Sequence, residues 1–177
     1  MADPTPVIRD LAEADLDRVA AFEAEIARQS FQDEAVTDLA HYRRKLGKLV
    51  GNRKDWTKVL ESGGRVIGWA WVSARENFVT GDEYADFRSF FVDREHAAAT
   101  DAARLLGAVI EHCRAAGFTR IVGRTAAANE RMRALYDLAG FREMHVVYGL
   151  DLNGSGDGPG REGGGREGGG REGGGRG

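Results

Sequence analysis

The segment Asn129-Glu130-Arg131-Met132-Arg133-Ala134-Leu135-Tyr136-Asp137-Leu138-Ala139-Gly140-Phe141 organises the reading of this 177-residue chain. Met132, Leu135 and Ala139 repeat at helical period, with Tyr136 on the same side. Asn129 is a good helix N-cap because its side-chain oxygen can accept a free backbone N–H. Gly140 can adopt the left-handed conformation that closes a helix. The segment therefore predicts a capped amphipathic helix over 130–139. A strand is expected on each side of it, at 120–123 and at 142–150.

A long helix is expected from about Thr100 to Ala116. Its stripe of Ala102, Leu105, Leu106, Val109, Ile110 and Cys113 marks one buried face, and Gly117 ends it. Val7-Ile8-Arg9 reads as a first strand. Glu13 and Asp15 then open a helix whose apolar positions are Leu16, Val19, Phe22 and Ile26. A second helix spans about Asp38 to Leu49. Trp56–Leu60 and Arg65–Ser73 read as a hairpin around Ser62-Gly63-Gly64. The second of these strands is apolar on both faces, as a covered central strand requires. A polar loop follows at 75–84, then a strand at Phe87–Val92. The order β-α-α-β-β-β-α-β-α-β predicts an α+β fold, a mixed and mostly antiparallel sheet flanked by helices on both faces.

Composition bounds the rest. Apolar residues make up 42% of the chain, ordinary for a globular protein, and the formal charge of −3 gives no field to hold nucleic acid or an anionic membrane. One cysteine, Cys113, excludes an internal disulfide and a cysteine metal cluster and suits a cytoplasmic location. The first residues lack the apolar run of a signal peptide, and no stretch suits a membrane span. From residue 153 on, Gly, Arg and Glu dominate, with Arg-Glu-Gly-Gly-Gly starting at Arg161, Arg166 and Arg171. Such a sequence buries nothing to offset its ordering entropy, so 153–177 is read as a disordered tail after a domain of 1–152. An Arg-Gly tail can bind RNA, but this one balances its charge and carries no aromatics.

The motif Asn-x-Arg-Met-x-x-Leu-Tyr-x-x-x-Gly-Phe at 129–141 resembles the hallmark helix of the GNAT superfamily of acyl-CoA-dependent N-acyltransferases. Val66-Ile67-Gly68-Trp69 after a Gly-rich turn, a strand ending Phe90-Phe91-Val92, and Leu105-Leu106 follow in that family's order. The resemblance covers roughly 7–152. It implies the acyl-CoA N-acyltransferase fold and transfer of an acetyl group from acetyl-CoA, as co-substrate and without a metal, to a small-molecule or peptide amine. Dimers are common among such enzymes.

The resemblance also implies site residues. Tyr136 would protonate the departing thiolate, although packing in the core is its plainer role. Asn129 and Arg131 would lie near the pantetheine arm, which would pair with Phe90, Phe91 and Val92. The diphosphate would meet the loop Ala97-Ala98-Ala99-Thr100-Asp101-Ala102 at a helix N-terminus. That loop departs from the family pattern Arg/Gln-x-x-Gly-x-Gly/Ala. Only Ala102 fits, and Ala97 stands where Arg or Gln belongs. A carboxylate at Asp101, about 4 Å from a phosphate, would repel it by roughly 1 kcal/mol in water and about 4 at a partly buried site. Arg94 and Arg104 could offset this.

Three acids, Glu83, Asp86 and Glu76, are the candidates to take the proton from the amine. Trp69 or Trp71 could line the acceptor pocket or simply pack. His41, His96, His112 and His145 lack metal-ligand spacing, and Cys113 sits on an apolar stripe as a core residue. The degenerate loop leaves a second reading open, a GNAT-fold acyl-CoA-binding or regulatory module without catalysis.

Overall fold

The computed structural model describes residues 5–31, 34–150 and 152. The chain divides into two compact units, Met1–Arg142 and Glu143–Gly177. All helices and strands among the described residues lie in the first. The strands are β1 (Val7–Asp10), β2 (Asp55–Ser62), β3 (Arg65–Glu76), β4 (Glu83–Val92) and β5 (Ile121–Gly123). The helices are α1 (Leu16–Phe31), α2 (Leu39–Gly47), α3 (Ala99–Ala115) and α4 (Glu130–Leu138). The sheet runs β1-β2-β3-β4-β5, antiparallel throughout except for the parallel pair β4–β5. The expected α+β architecture is thus the observed one.

Local chemistry explains the boundaries. Asp38 accepts the Ala40 N–H and starts α2. Gly63 and Gly64 both take positive φ in the β2–β3 turn, the geometry that a tight hairpin needs. Helix α3 ends ahead of Gly117, whose φ is 82°. The loop expected over 75–84 is shorter, because Arg75 and Glu76 pair with Tyr84 and Glu83 and prolong the β3–β4 ladder. Asn77 closes that hairpin, its side-chain oxygen accepting the Val79 N–H.

Each face of the sheet is covered. On one, Leu16, Val19, Phe22 and Leu46 of α1 and α2 pack with Val59, Val66 and Trp69. On the other, Leu105, Leu106, Val109 and Cys113 of α3 pack with Leu60, Ile67, Ala70 and Phe87. Gly68 lets α3 lie close, since a Cβ there would sit 3.3 Å from Leu105 Cδ2 and 3.1 Å from Leu60 Cβ. Arg9 ties β1 down through Glu61 (2.6 Å) and the buried carboxylate of Asp15 (2.7 Å).

The strand expected at 142–150 is not formed. In this segment Val146, Val147, Tyr148 and Leu150 are exposed. An apolar run sets strand propensity, but a strand exists only where a partner ladder takes its hydrogen bonds. The expected tail, 153–177, lies outside the described residues.

Candidate active site

Strands β4 and β5 pair only at Ala85–Phe87 with Ile121–Gly123. Beyond Phe87, β4 continues to Val92 while β5 has ended, so the two part. A small cleft of about 70 Å³ opens there, lined by Phe87, Arg88, Ser89 and Phe90 from β4 and by Asn129, Met132 and Tyr136 from the α4 region. The β3–β4 ladder slips at the same place: Trp71 faces Ser89 while Val72 faces Phe87. Arg88 is therefore a β-bulge residue, and a bulge re-aims side chains and frees main-chain groups from the ladder.

Helix α4 sets Tyr136. Asn129 accepts the Met132 N–H at 3.1 Å, fixing the helix start. The Phe141 N–H closes the other end on the Tyr136 carbonyl at 2.9 Å, across Gly140 with φ of 83°. The Tyr136 ring lies 4.7 Å from Phe141 and edge-on to Phe87 at 6.3 Å, with its hydroxyl end over Gly123. Burial pushes its pKa up to about 12, so the phenol keeps its proton at any physiological pH. Tyr136 both packs and lines the cleft, and Asn129 both caps and lines it.

The three acids expected near the acceptor do not meet the cleft as a set. Glu76 and Glu83 face each other at the exposed turn end of the β3–β4 hairpin. Asp86 is buried and holds Arg124 at 3.0 Å, Arg88 at 3.2 Å and Arg75 at 3.6 Å. A different carboxylate reaches the cleft wall. Glu23 of α1 accepts the Trp69 Nε1–H at 2.7 Å and the hydroxyl hydrogen of Ser89. Burial raises its pKa, partly opposed by Ser89, Trp69 and the charge of Arg88. The sequence held a signal for it: Glu23 follows Val19 by four residues and precedes Ile26 by three, which puts an acid within the apolar stripe of α1.

Of the other expected cofactor contacts, Phe90 lines the cleft, whereas the Phe91 ring stacks on Phe22 at 4.7 Å and Val92 packs on the α3 side. Arg131 is exposed on α4. At the start of α3, Ala98 is the N-cap, and Asp101 turns back to accept the Ala98 N–H at 2.8 Å while its own N–H goes to the Ala98 carbonyl. The Asp101 carboxylate is thus buried in a helix cap. Beside it lies a broad hollow of about 700 Å³, which Arg65, His96, Thr100 and Arg104 help to line. Ala97 is half-buried, and Ala99, Thr100 and Ala102 form the first turn of α3. Arg94 is exposed and does not line that hollow.

Trp69 is fully buried, whereas Trp71 is half-buried with the Arg88 guanidinium 4.9 Å above its ring. His112 stacks on Trp56 at 5.0 Å, and burial lowers its pKa. Cys113 is buried and its thiol is pushed up to about 11. Asp93, Glu95 and His96 come close together, but Asp93 is engaged by Arg18 and by His96. Among the described residues, no helix is long and apolar enough to cross a membrane.

A parallel pair that parts, with a bulge on one arm and a capped tyrosine helix over the other, frames this cleft. The model of the acetyltransferase (GNAT) family matches residues 16–141. The chain belongs to that family, whose members transfer acyl groups from acyl-CoA to amines. Solved structures of similar fold include one described as a possible acetyltransferase from Clostridium difficile 630, with 17% identity over 83% of this chain and 97% of that one and a TM-score of 0.67. The ribosomal-protein-alanine N-acetyltransferase from Brucella melitensis biovar Abortus 2308 gives 16% identity, 84% and 99% coverage and a TM-score of 0.63. Aminoglycoside N-acetyltransferase AAC(6')-Iy, solved in complex with CoA, gives 16%, 86% and 97%, and 0.67. The curated proteins give no match.

Proposed function

We propose that this chain is a cytoplasmic N-acetyltransferase that moves the acetyl group of acetyl-CoA directly onto a primary amine. The observation that carries this reading is the meeting of three features in one cleft: the β4–β5 divergence, the bulge at Arg88, and the half-buried phenol of Tyr136.

In this reading β4 main chain from Phe90 to Val92 pairs with the pantetheine arm, and an N–H freed at the bulge polarises the thioester carbonyl. Ser89 accepts a proton from the ammonium form of the amine while handing its own to Glu23. The neutral nitrogen then attacks. Its bond to the acetyl carbon forms, the C–S bond breaks, the sulfur leaves with the electron pair and takes the Tyr136 proton, and the second proton from nitrogen restores the phenol. Tyr136 donates to the sulfur. A phenol at about 12 is mismatched with a thiol in water at about 8.5, and the mismatch is offset where the proton leaving nitrogen passes to the phenol in the same step. The phosphates lie at the N-terminal turn of α3, with Arg65 and Arg104 nearby to balance Asp101.

The cap made by Asp101 favours the second reading, a non-catalytic acyl-CoA-binding module, because it withdraws the Ala98 N–H from any phosphate. Calorimetric titration with acetyl-CoA, followed by thiol release with an amine panel, separates the two. Micromolar to tens-of-micromolar binding is expected. Tyr136→Phe is expected to lower turnover by roughly 100-fold while affinity moves little. Asp101→Asn keeps an acceptor for the Ala98 N–H, removes the charge, and should tighten binding. An absence of heat and of any melting shift with acetyl-CoA would end the enzyme reading.

A further inference from the structure

Among the described residues, the charged ones that line the cleft are Arg88 and Arg124, and no acid lines it. Behind them lies Asp86, a single buried carboxylate shared among Arg88, Arg124 and Arg75. Arg75 does not line the cleft, so on this wall the one charge of Asp86 faces the two of Arg88 and Arg124 and leaves a positive excess. Among the described residues Glu23 is the other carboxylate near it; when ionised it offsets the remaining charge, but it stands behind Ser89 and does not line the cleft. The arginines are also held in place. Arg88 is stacked over Trp71 and bonded to Asp86, and Arg124 Nη1 is bonded to Asp86 Oδ1, so their guanidiniums present fixed donors to the cleft.

From this arrangement we infer that the acceptor is a primary amine carrying a carboxylate, as in a free acidic amino acid or the N-terminus of an acidic peptide, and is not a polycation. The inference rests on the acetyltransferase reading above and specifies its second substrate. A polyamine or an aminoglycoside would bring several positive charges against Arg88 and Arg124 and, among the described residues, find no acid lining the cleft to receive them. A carboxylate near the reacting nitrogen would find two planar guanidiniums suited to paired hydrogen bonds. The same positive field disfavours the ammonium form of the bound amine and so favours the neutral nitrogen that attacks the thioester. The proton released goes through Ser89 to Glu23, the bond from nitrogen to the acetyl carbon replaces the C–S bond, and the net reaction consumes no further reagent.

The test follows thiol release at saturating acetyl-CoA with L-glutamate, a Glu-Glu-initiated peptide bearing a free N-terminus, ethanolamine, spermidine and kanamycin. Glutamate or the peptide should exceed spermidine and kanamycin in kcat/KM by roughly tenfold or more, the effect of one well-placed charge. The comparison of glutamate with the peptide tells a free amino acid from a chain terminus. Arg124 is largely exposed, so Arg124→Glu should fold and should erase or reverse the preference, with Arg124→Gln intermediate. Equal or faster turnover of spermidine or kanamycin, or a preference that Arg124→Glu leaves untouched, overturns the inference. Acetyl-CoA binding by calorimetry without turnover of either carboxylated amine overturns it while sparing the acetyl-CoA site. Absence of acetyl-CoA binding removes the acetyltransferase reading and this inference together.

Discussion

The phenol of Tyr136 fills the space that a side chain at Gly123 would need: a Cβ placed on Gly123 would lie 2.7 Å from Tyr136 Cζ and overlap its hydroxyl. Gly123 is the last residue of β5, at the point where β4 and β5 separate. The position of the proposed acid thus depends on the absence of one methyl group in the neighbouring strand. Gly123→Ala should push the ring out of its seat, costing about 1–3 kcal/mol of stability. Turnover should fall by on the order of 100-fold, since a shift of about 1 Å at a reacting group has that effect. Steady-state kinetics beside a melting curve would check this, and an alanine variant with full turnover would detach Tyr136 from the chemistry.

Glu23→Gln should make the protein more stable and less active. Burial raises the Glu23 pKa above its unfolded value, so its contribution to stability is greatest below that unfolded value and is lost as pH rises through the folded one. The amide keeps an acceptor for the Trp69 N–H and removes a carboxylate whose charged form burial disfavours. A rise in Tm of a few degrees, roughly 2–4 °C per kcal/mol, is expected. The acidic limb of the kcat/KM profile should disappear together with most of the activity. A variant with unchanged turnover would confine Glu23 to holding Trp69.

Asp15 should govern part of the acid sensitivity of the fold. The Arg9 guanidinium, bonded at 2.7 Å, and the Ala12 N–H hold its carboxyl below the usual range. The sign is that of a depressed acid: its stabilisation is present above the unfolded pKa of about 4 and disappears as pH falls through the folded value. Asp15→Asn should lose about 1.5–3 kcal/mol at pH 7, the worth of hydrogen bonds to a charged group, and should flatten the stability curve below about pH 4. Urea titrations at several pH values measure both effects.

Cys113 should report global unfolding. It is buried on the α3 face of the sheet and its thiol is raised to about 11, so the reactive thiolate is scarce and shielded at pH 8. A thiol reagent should label the native protein only as fast as it opens, and denaturant should bring the rate to that of a free cysteine. The same shift predicts that stability falls as pH rises from about 9, the ordinary thiol value, toward 11. Fast labelling of the native state would mean that α3 lifts from the sheet locally.

The helices were the most legible part of the chain. The stripe of Leu105, Leu106, Val109 and Cys113, the cap at Asn129 and the stops at Gly117 and Gly140 all depend on neighbours within one or two turns, and each is found in the structure. The tyrosine of the candidate site was legible for the same reason, because its motif is contiguous. The acids were not. Asp86, Glu76 and Glu83 were grouped by nearness in sequence, but alternation along β4 and the long ladder with β3 send two of them to the hairpin end and one beneath three arginines. Glu23 lies 66 positions before Ser89, and only the packing of α1 on β4 brings them together.

The missing strand at 142–150 teaches the same lesson. Its apolar residues were plain in the sequence, but pairing is a property of two segments, and none is formed there. Short-range order, meaning where helices start, which faces are apolar and which turns need glycine, was set by the amino-acid sequence alone because those free energies are local. The tertiary structure alone decided the parting of β4 from β5, the bulge at Arg88, the arginine excess around Asp86 and the seat of Tyr136 over Gly123. Each of these depends on register and on contacts between distant residues, which no local pattern encodes.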